Sequence, residues 1–132
     1  MMILQDYFDT VYNRLTSAVK GVCQNAGKET IGLPAAFPYM DVSLEDCPAS
    51  LKAADLEDMD NAVEPVIKIT VYTEGQEQAD LARNILSLAG AEMQQMLFRR
   101  SLGPQRVTVP DTGNIFCISA RYTRVICDGD LS

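Results

Sequence analysis

Apolar residues recur at intervals of three and four along the start of the chain. Ile3, Leu4, Tyr7, Phe8, Val11, Tyr12, Leu15, Val19 and Val22 fall on one side of a helical projection, the spacing of a helix laid against a core. A helix over residues 3–20 is predicted, with Gly21 able to end it. The stretch from Asn25 to Leu33, with Gly27 and Gly32 ahead of Pro34, reads as a loop. The period then changes. Met40, Val42 and Leu44 alternate with Tyr39, Asp41 and Ser43, the period of two of a half-buried strand, and Pro38 suits the strand's start. Ile67, Ile69 and Val71 alternate in the same way with Lys68, Thr70 and Tyr72, and Gly75 breaks this second strand.

From Gln78 to Phe98 the period returns to that of a helix. Leu81, Ala82, Ile85, Leu86, Leu88, Ala89, Met93, Met96 and Leu97 form a broad apolar stripe, with Asp80, Arg83, Asn84, Ser87, Ala91, Gln94 and Gln95 opposite. The methionines of that stripe read as adaptable core filler. Residues 99–109 and 115–127 flank Pro110-Asp111-Thr112-Gly113-Asn114, whose residue types favour a turn, so a hairpin is predicted. In its second strand Phe116, Ile118, Ala120, Tyr122 and Ile126 share one face, and Cys117, Ser119, Arg121 and Thr123 the other.

The order α-β-β-α-β-β predicts an α+β fold in two layers: a mainly antiparallel four-stranded sheet with two helices on one face. The first two strands are joined by a long acidic flap at about residues 45–64. Such long connections in compact domains are usually functional or disordered, and part of 49–60 could form a short helical turn. Lys68, Thr70, Tyr72, Cys117, Ser119, Arg121 and Thr123 would line the second sheet face, either as a solvated surface or as a binding one. A chain of 132 residues is the length of one domain, 1–132, with a frayed tail at 128–132.

Composition narrows the function classes. The chain has no His and no Trp, and none of its serines, cysteines or carboxylates stands in a catalytic spacing, so no enzyme activity, cofactor or metal is expected. Cys23, Cys47, Cys117 and Cys127 include no Cys-x-x-Cys pair and lack a His to complete a zinc site; free buried thiols are the expectation. Asp55, Glu57, Asp58, Asp60 and Glu64 lack the glycine and the offset Glu of a calcium loop, which leaves a solvated acidic loop. Tyr12, Tyr39 and Tyr72 have no paired base in view and read as packing residues. No apolar run approaches the ~20 residues of a membrane span, and the start of the chain already holds Asp6 and Asp9 without a basic leader, so the cytoplasm is the expected compartment.

Charge is unevenly placed. The net charge of −7 argues against a general affinity for nucleic acid. Over residues 41–64 the acids Asp41, Glu45, Asp46, Asp55, Glu57, Asp58, Asp60 and Glu64 face Lys52 alone, a local −7. Over residues 99–124, Arg99, Arg100, Arg106, Arg121 and Arg124 face Asp111 alone, a local +4. The two runs either compensate within one chain or meet across a head-to-tail contact between copies, the heterologous geometry that closes rings.

With these residues in place the chain resembles the tail terminator, or tail completion, proteins of long-tailed bacteriophages and prophages, a group that includes minor capsid and minor structural proteins. The resemblance covers most of the length. It rests on the helix Tyr7 to Val19, Phe37-Pro38-Tyr39 opening the first strand, Val71-Tyr72 before the long helix, Phe98-Arg99 after it, and Arg121-Tyr122-Thr123 near the end. It implies a structural virion protein of the tail, assembled in the bacterial host cytoplasm. Such a protein forms a ring, generally a hexamer, at the end of the tail tube, stops tube polymerisation and offers the head a docking surface. The implied partners are a second copy of the chain, the tail-tube protein and a head-completion or connector protein, with no membrane and no direct sequence-specific nucleic-acid contact among them. Candidate interface residues are Lys68, Tyr72, Arg99, Arg100, Arg106, Arg121 and Arg124, together with Asp55, Glu57, Asp58 and Asp60. A head-tail connector of similar size is one alternative. The other is a small α+β effector-binding module with a concave pocket around Tyr72 and Arg121.

Overall fold

The computed structural model describes residues 4–29, 34, 36–46, 64–107 and 115–125. Within them, helix α1 spans Leu4–Val19 and helix α2 spans Ala79–Gln95, the latter entered through a 3-10 turn at Gln76–Gln78. Strands β1 (Asn25–Lys28), β2 (Tyr39–Asp46), β3 (Val66–Glu74), β4 (Arg99–Arg106) and β5 (Ile115–Thr123) form one sheet in the order β1-β2-β3-β5-β4. Strand β1 runs parallel to β2, and the other neighbours are antiparallel.

The fold is therefore α+β as the periodicity predicts, but with a five-stranded mixed sheet in place of four antiparallel strands. The correction lies at Asn25-Ala26-Gly27-Lys28, read from sequence as loop. These residues show no apolar alternation and include a glycine; what holds them in a strand is backbone pairing along the edge of β2, with Ala26 opposite Met40, and an edge strand makes few side-chain demands. A smaller correction concerns the flap. Strand β2 continues through Glu45 and Asp46, past a register irregularity after Leu44, so those two acids belong to the sheet. The rest of the flap through Val63, the hairpin turn at 110–114 and the tail at 128–132 lie outside the described residues.

One face of the sheet and both helices build the core. In register across β2, β3 and β5, Met40, Val71 and Ile118 form one row, and Val42, Ile69 and Ala120 the next. All are buried, as are Phe8, Val11, Leu15 and Val19 from α1 and Ala82, Ile85, Leu86, Ala89 and Met93 from α2. Fully burying one such aliphatic or aromatic side chain is worth about 1.5–3 kcal/mol, so this layer dominates the fold's stability. An ion pair ties the helices together: Arg14 Nε donates to Glu92 Oε2 at 2.7 Å. At the edge, the Lys28 ammonium sits 4.9 Å from the Tyr12 ring centroid and pairs with Asp9, fixing β1 to α1.

Helix α2 ends in a Schellman motif. The Leu97 N–H bonds the Gln94 carbonyl and the Phe98 N–H bonds the Met93 carbonyl, both at 2.9 Å, with Leu97 in the left-handed region at φ 68°. Phe98 and Met93, the positions whose side chains such a motif brings together, are both buried in the core. Arg124 Nη1 then donates to the Met96 carbonyl at 2.7 Å, satisfying another orphan acceptor and setting a cation at the negative helix end. Among the described residues no helix is long and apolar enough to cross a membrane.

Candidate functional site

The sheet face away from the helices carries the polar register that alternation predicts. Tyr39, Tyr72 and Cys117 lie side by side, then Asp41, Thr70 and Ser119, then Ser43, Lys68 and Arg121. It is not an open wet surface: Asp41, Thr70, Cys117, Ser119 and Thr123 are buried. Their register neighbours are longer side chains, Tyr39 and Tyr72 in edge-to-face contact at 6.3 Å and a cluster of Glu45, Lys68 and Arg121. Arg121 Nε donates to Glu45 Oε2 at 2.6 Å and Lys68 Nζ stands 3.7 Å from Glu45 Oε1. The hydrogen bond from Arg121 pulls the Glu45 carboxyl below its ordinary range, against a smaller opposing effect of burial. Burial pushes the Tyr72 hydroxyl up, and pushes the Cys117 thiol up to about 11.

The second feature is a groove of about 610 Å³ between α2 and β4, floored by β5. Arg83, Ser87, Gly90 and Gln94 supply its helical wall, residues three or four apart that share one face of α2. Arg100, Pro104 and Arg106 form the wall along β4, the outermost and most exposed strand, and Phe116, Ile118 and Tyr122 form the floor. The guanidinium groups of Arg83 and Arg106 each lie 5.4 Å from the centroid of Phe116, within cation-π range of one buried ring. Burial raises the Tyr122 hydroxyl above its usual range, while Arg100 acts in the opposite direction. That hydroxyl reaches the helix where a side chain is missing: a Cβ on Gly90 would stand 2.7 Å from Tyr122 Oη. Among the described residues no carboxylate lines the groove. Asp80 lies 3.6 Å from Arg83 outside the lining, with both side chains well exposed. Planar guanidinium forks over an aromatic floor suit carboxylate or phosphate groups that carry an apolar portion.

The predicted interface residues separate into three places. Lys68, Tyr72 and Arg121 share the polar sheet face, where Arg121 and Lys68 meet Glu45 of the same chain. The acidic and arginine runs are thus not held wholly apart, and compensation within the chain accounts for part of the charge pattern. Arg100 and Arg106 enter the groove, Arg99 pairs with Thr123 at the start of β4, and Arg124 is engaged at the end of α2. Asp55, Glu57, Asp58 and Asp60 lie outside the described residues. The concave pocket that an effector-binding module requires exists, but neither Tyr72 nor Arg121 lines it.

Sequence reasoning missed Arg83, Gly90, Phe116 and Tyr122 as groove residues. Phe116 and Tyr122 read as core because their alternation is that of a buried strand face, which they also are. The available signal was the stripe of short or polar residues Ser87, Gly90, Ala91 and Gln94 along α2, too slight to pack against a strand in full contact. Among the described residues no group of three or more His, Cys, Asp or Glu side chains converges on a possible metal position. No protein-family model and no curated protein matches the chain.

Proposed function

We propose that the protein is a structural component of a phage or prophage virion that forms a ring, generally a hexamer, at the end of the tail tube, stops its polymerisation and presents a docking surface to the head. The observation that carries this reading is spatial. The segments on which the resemblance to tail terminators rests are scattered along the sequence, yet they adjoin in the sheet: Tyr39 stands opposite Tyr72, Arg99 opposite Thr123, and Arg100 opposite Tyr122. Scattered positions that converge on one sheet describe a shared surface and scaffold, which is what a ring subunit needs.

The test is incubation of the purified protein with its own tail-tube protein, followed by electron microscopy of tube lengths and light scattering of the free protein. Tubes capped at one end and halted in growth, with a ring-sized species on the tubes or in solution, support the proposal. Tubes that lengthen unchanged overturn it, and binding to portal or head-closure protein without an effect on tubes would assign a connector role. One observation favours a second reading, a small-anion-binding module: the α2–β4 groove has the size of many ligand sites, roughly 300–1,000 Å³. Calorimetric titration with small carboxylates and phosphates separates the two.

A further inference from the structure

Tyr122 is only 4% exposed, yet it lines the α2–β4 groove, and its hydroxyl occupies the notch left by Gly90. Among the described residues no group hydrogen-bonds that hydroxyl; burial and the charge of Arg100 are what act on it. Burial also keeps it protonated, and so a donor. Leaving a buried hydroxyl without a partner is costly, and the large majority of buried side-chain polar atoms in folded proteins have one. The open side from which a partner can reach it is the groove.

Arg100 stands opposite Tyr122 in the strand register, so the two side chains are direct cross-strand neighbours on one sheet face. Among the described residues the Arg100 guanidinium makes no ion pair or hydrogen bond. The other two groove arginines are committed. Arg83 pairs with Asp80 and stacks on Phe116, and Arg106 stacks on the same ring and is engaged elsewhere as well. Phe116 lies six residues before Tyr122 on β5, roughly 20 Å along the strand, so that cluster sits at the far end of the groove. Leu86, Ile118 and Pro104 line the groove with apolar surface.

We infer that the groove binds a small monocarboxylic acid with an apolar body, an inference that deepens the small-anion reading above and rests on it, not on the ring. One carboxylate oxygen accepts the Tyr122 O–H, the other accepts from Arg100, and the apolar body lies along Ile118 and Leu86 against Pro104. An ionised acceptor suits this pair better than a neutral carbonyl, because its hydrogen bonds are stronger and its two oxygens serve two donors at once. A single negative charge matches the one uncommitted arginine of the described lining, whereas a phosphate would bring more charge than Arg100 offsets.

The test is titration calorimetry on the full chain at pH 7 with phenylacetate, its uncharged counterpart phenylacetamide, and inorganic phosphate. Phenylacetate is expected to bind with a dissociation constant of about 1 mM or tighter, and the amide at least about tenfold more weakly. Tyr122→Phe should weaken phenylacetate binding about fivefold to tenfold, the loss of one hydrogen bond, and Arg100→Gln by at least about tenfold. Without ligand, Tyr122→Phe should melt no lower than the wild type, since the hydroxyl it removes has no partner to lose. A variant that melts lower and binds phenylacetate like the wild type has lost a hydroxyl that was already satisfied, and overturns the inference. An amide that binds as tightly as the carboxylate also overturns it, on the wild type alone, so the test survives an Arg100→Gln chain that fails to fold by circular dichroism. Phosphate bound without phenylacetate, and indifferent to Tyr122→Phe, overturns the ligand class and leaves the small-anion reading standing. No anion bound at about 10 mM overturns both.

Discussion

Substituting Gly90 by Ala sets two effects of opposite sign against each other inside α2. Replacing an interior helical glycine by alanine ordinarily stabilises by about 0.8–1 kcal/mol. Here the new Cβ would lie 2.7 Å from Tyr122 Oη, so the hydroxyl must retreat by about 0.7 Å to reach ordinary contact at 3.4 Å. The hydroxyl ends a rigid ring that is only 4% exposed and anchored in β5, and it has no bond rotation of its own that moves the oxygen aside. Overpacking of that kind costs about 1–3 kcal/mol. The steric effect therefore wins, and Gly90→Ala should lower stability by about 1 kcal/mol. In a Tyr122→Phe background the nearest ring atoms to the new Cβ are at 3.6 and 4.0 Å, ordinary contact distances. The same substitution should then stabilise by up to about 1 kcal/mol, the helix-propensity gain alone. Urea unfolding followed by far-ultraviolet circular dichroism on the four members of the cycle measures the coupling, provided the denaturant slopes agree. A Gly90→Ala effect of the same sign and size in both backgrounds would refute the contact and with it the packing of α2 on β5 at the groove.

Other expectations follow from particular contacts. Leu97, 72% exposed and held at φ 68°, should be improved by glycine: Leu97→Gly is expected to raise stability by roughly 0.5–1 kcal/mol in the same denaturation assay, and a loss would refute the Schellman geometry. Glu45 has a carboxyl lowered by Arg121, so its contribution is present above the unfolded carboxyl pKa near 4.3 and is lost as pH falls through the lower folded value. Wild type should exceed Glu45→Gln by about 0.2–1 kcal/mol at pH 7 in low salt, the difference shrinking in acid; a gap that widens at pH 3 would contradict the pairing. Cys23 and Cys117 are buried with thiols pushed up, Cys117 to about 11. Alkylation at pH 8, read by mass spectrometry, should be at least about tenfold slower at both sites in the folded protein than in urea, and equal rates would refute their burial.

Local regularities of the chain carried the long elements. The three-and-four spacing of Phe8, Val11, Leu15 and Val19 and of Ala82, Ile85, Leu86, Ala89 and Met93 placed both helices, and alternation placed β2, β3 and β5 along with the face each buries, because helix and strand repeat distances act directly on neighbouring side chains. The polar register of Lys68 with Arg121 and Tyr72 with Cys117 was likewise legible, since antiparallel pairing of two alternating strands leaves few choices. Strand β1 was not legible: its hydrogen bonds go to β2, and partners fourteen positions away leave no periodic trace in four residues. Nor could the sequence alone divide the arginines. Arg121 and Glu45 lie 76 positions apart and meet only because β3 brings β2 and β5 within reach of each other, whereas Arg83, Arg100 and Arg106 become one site only because α2 crosses the sheet beside its outermost strand. Charge counts along a chain determine how much charge there is; which charges meet across the sheet, and which are gathered beside a groove, is decided by long-range packing.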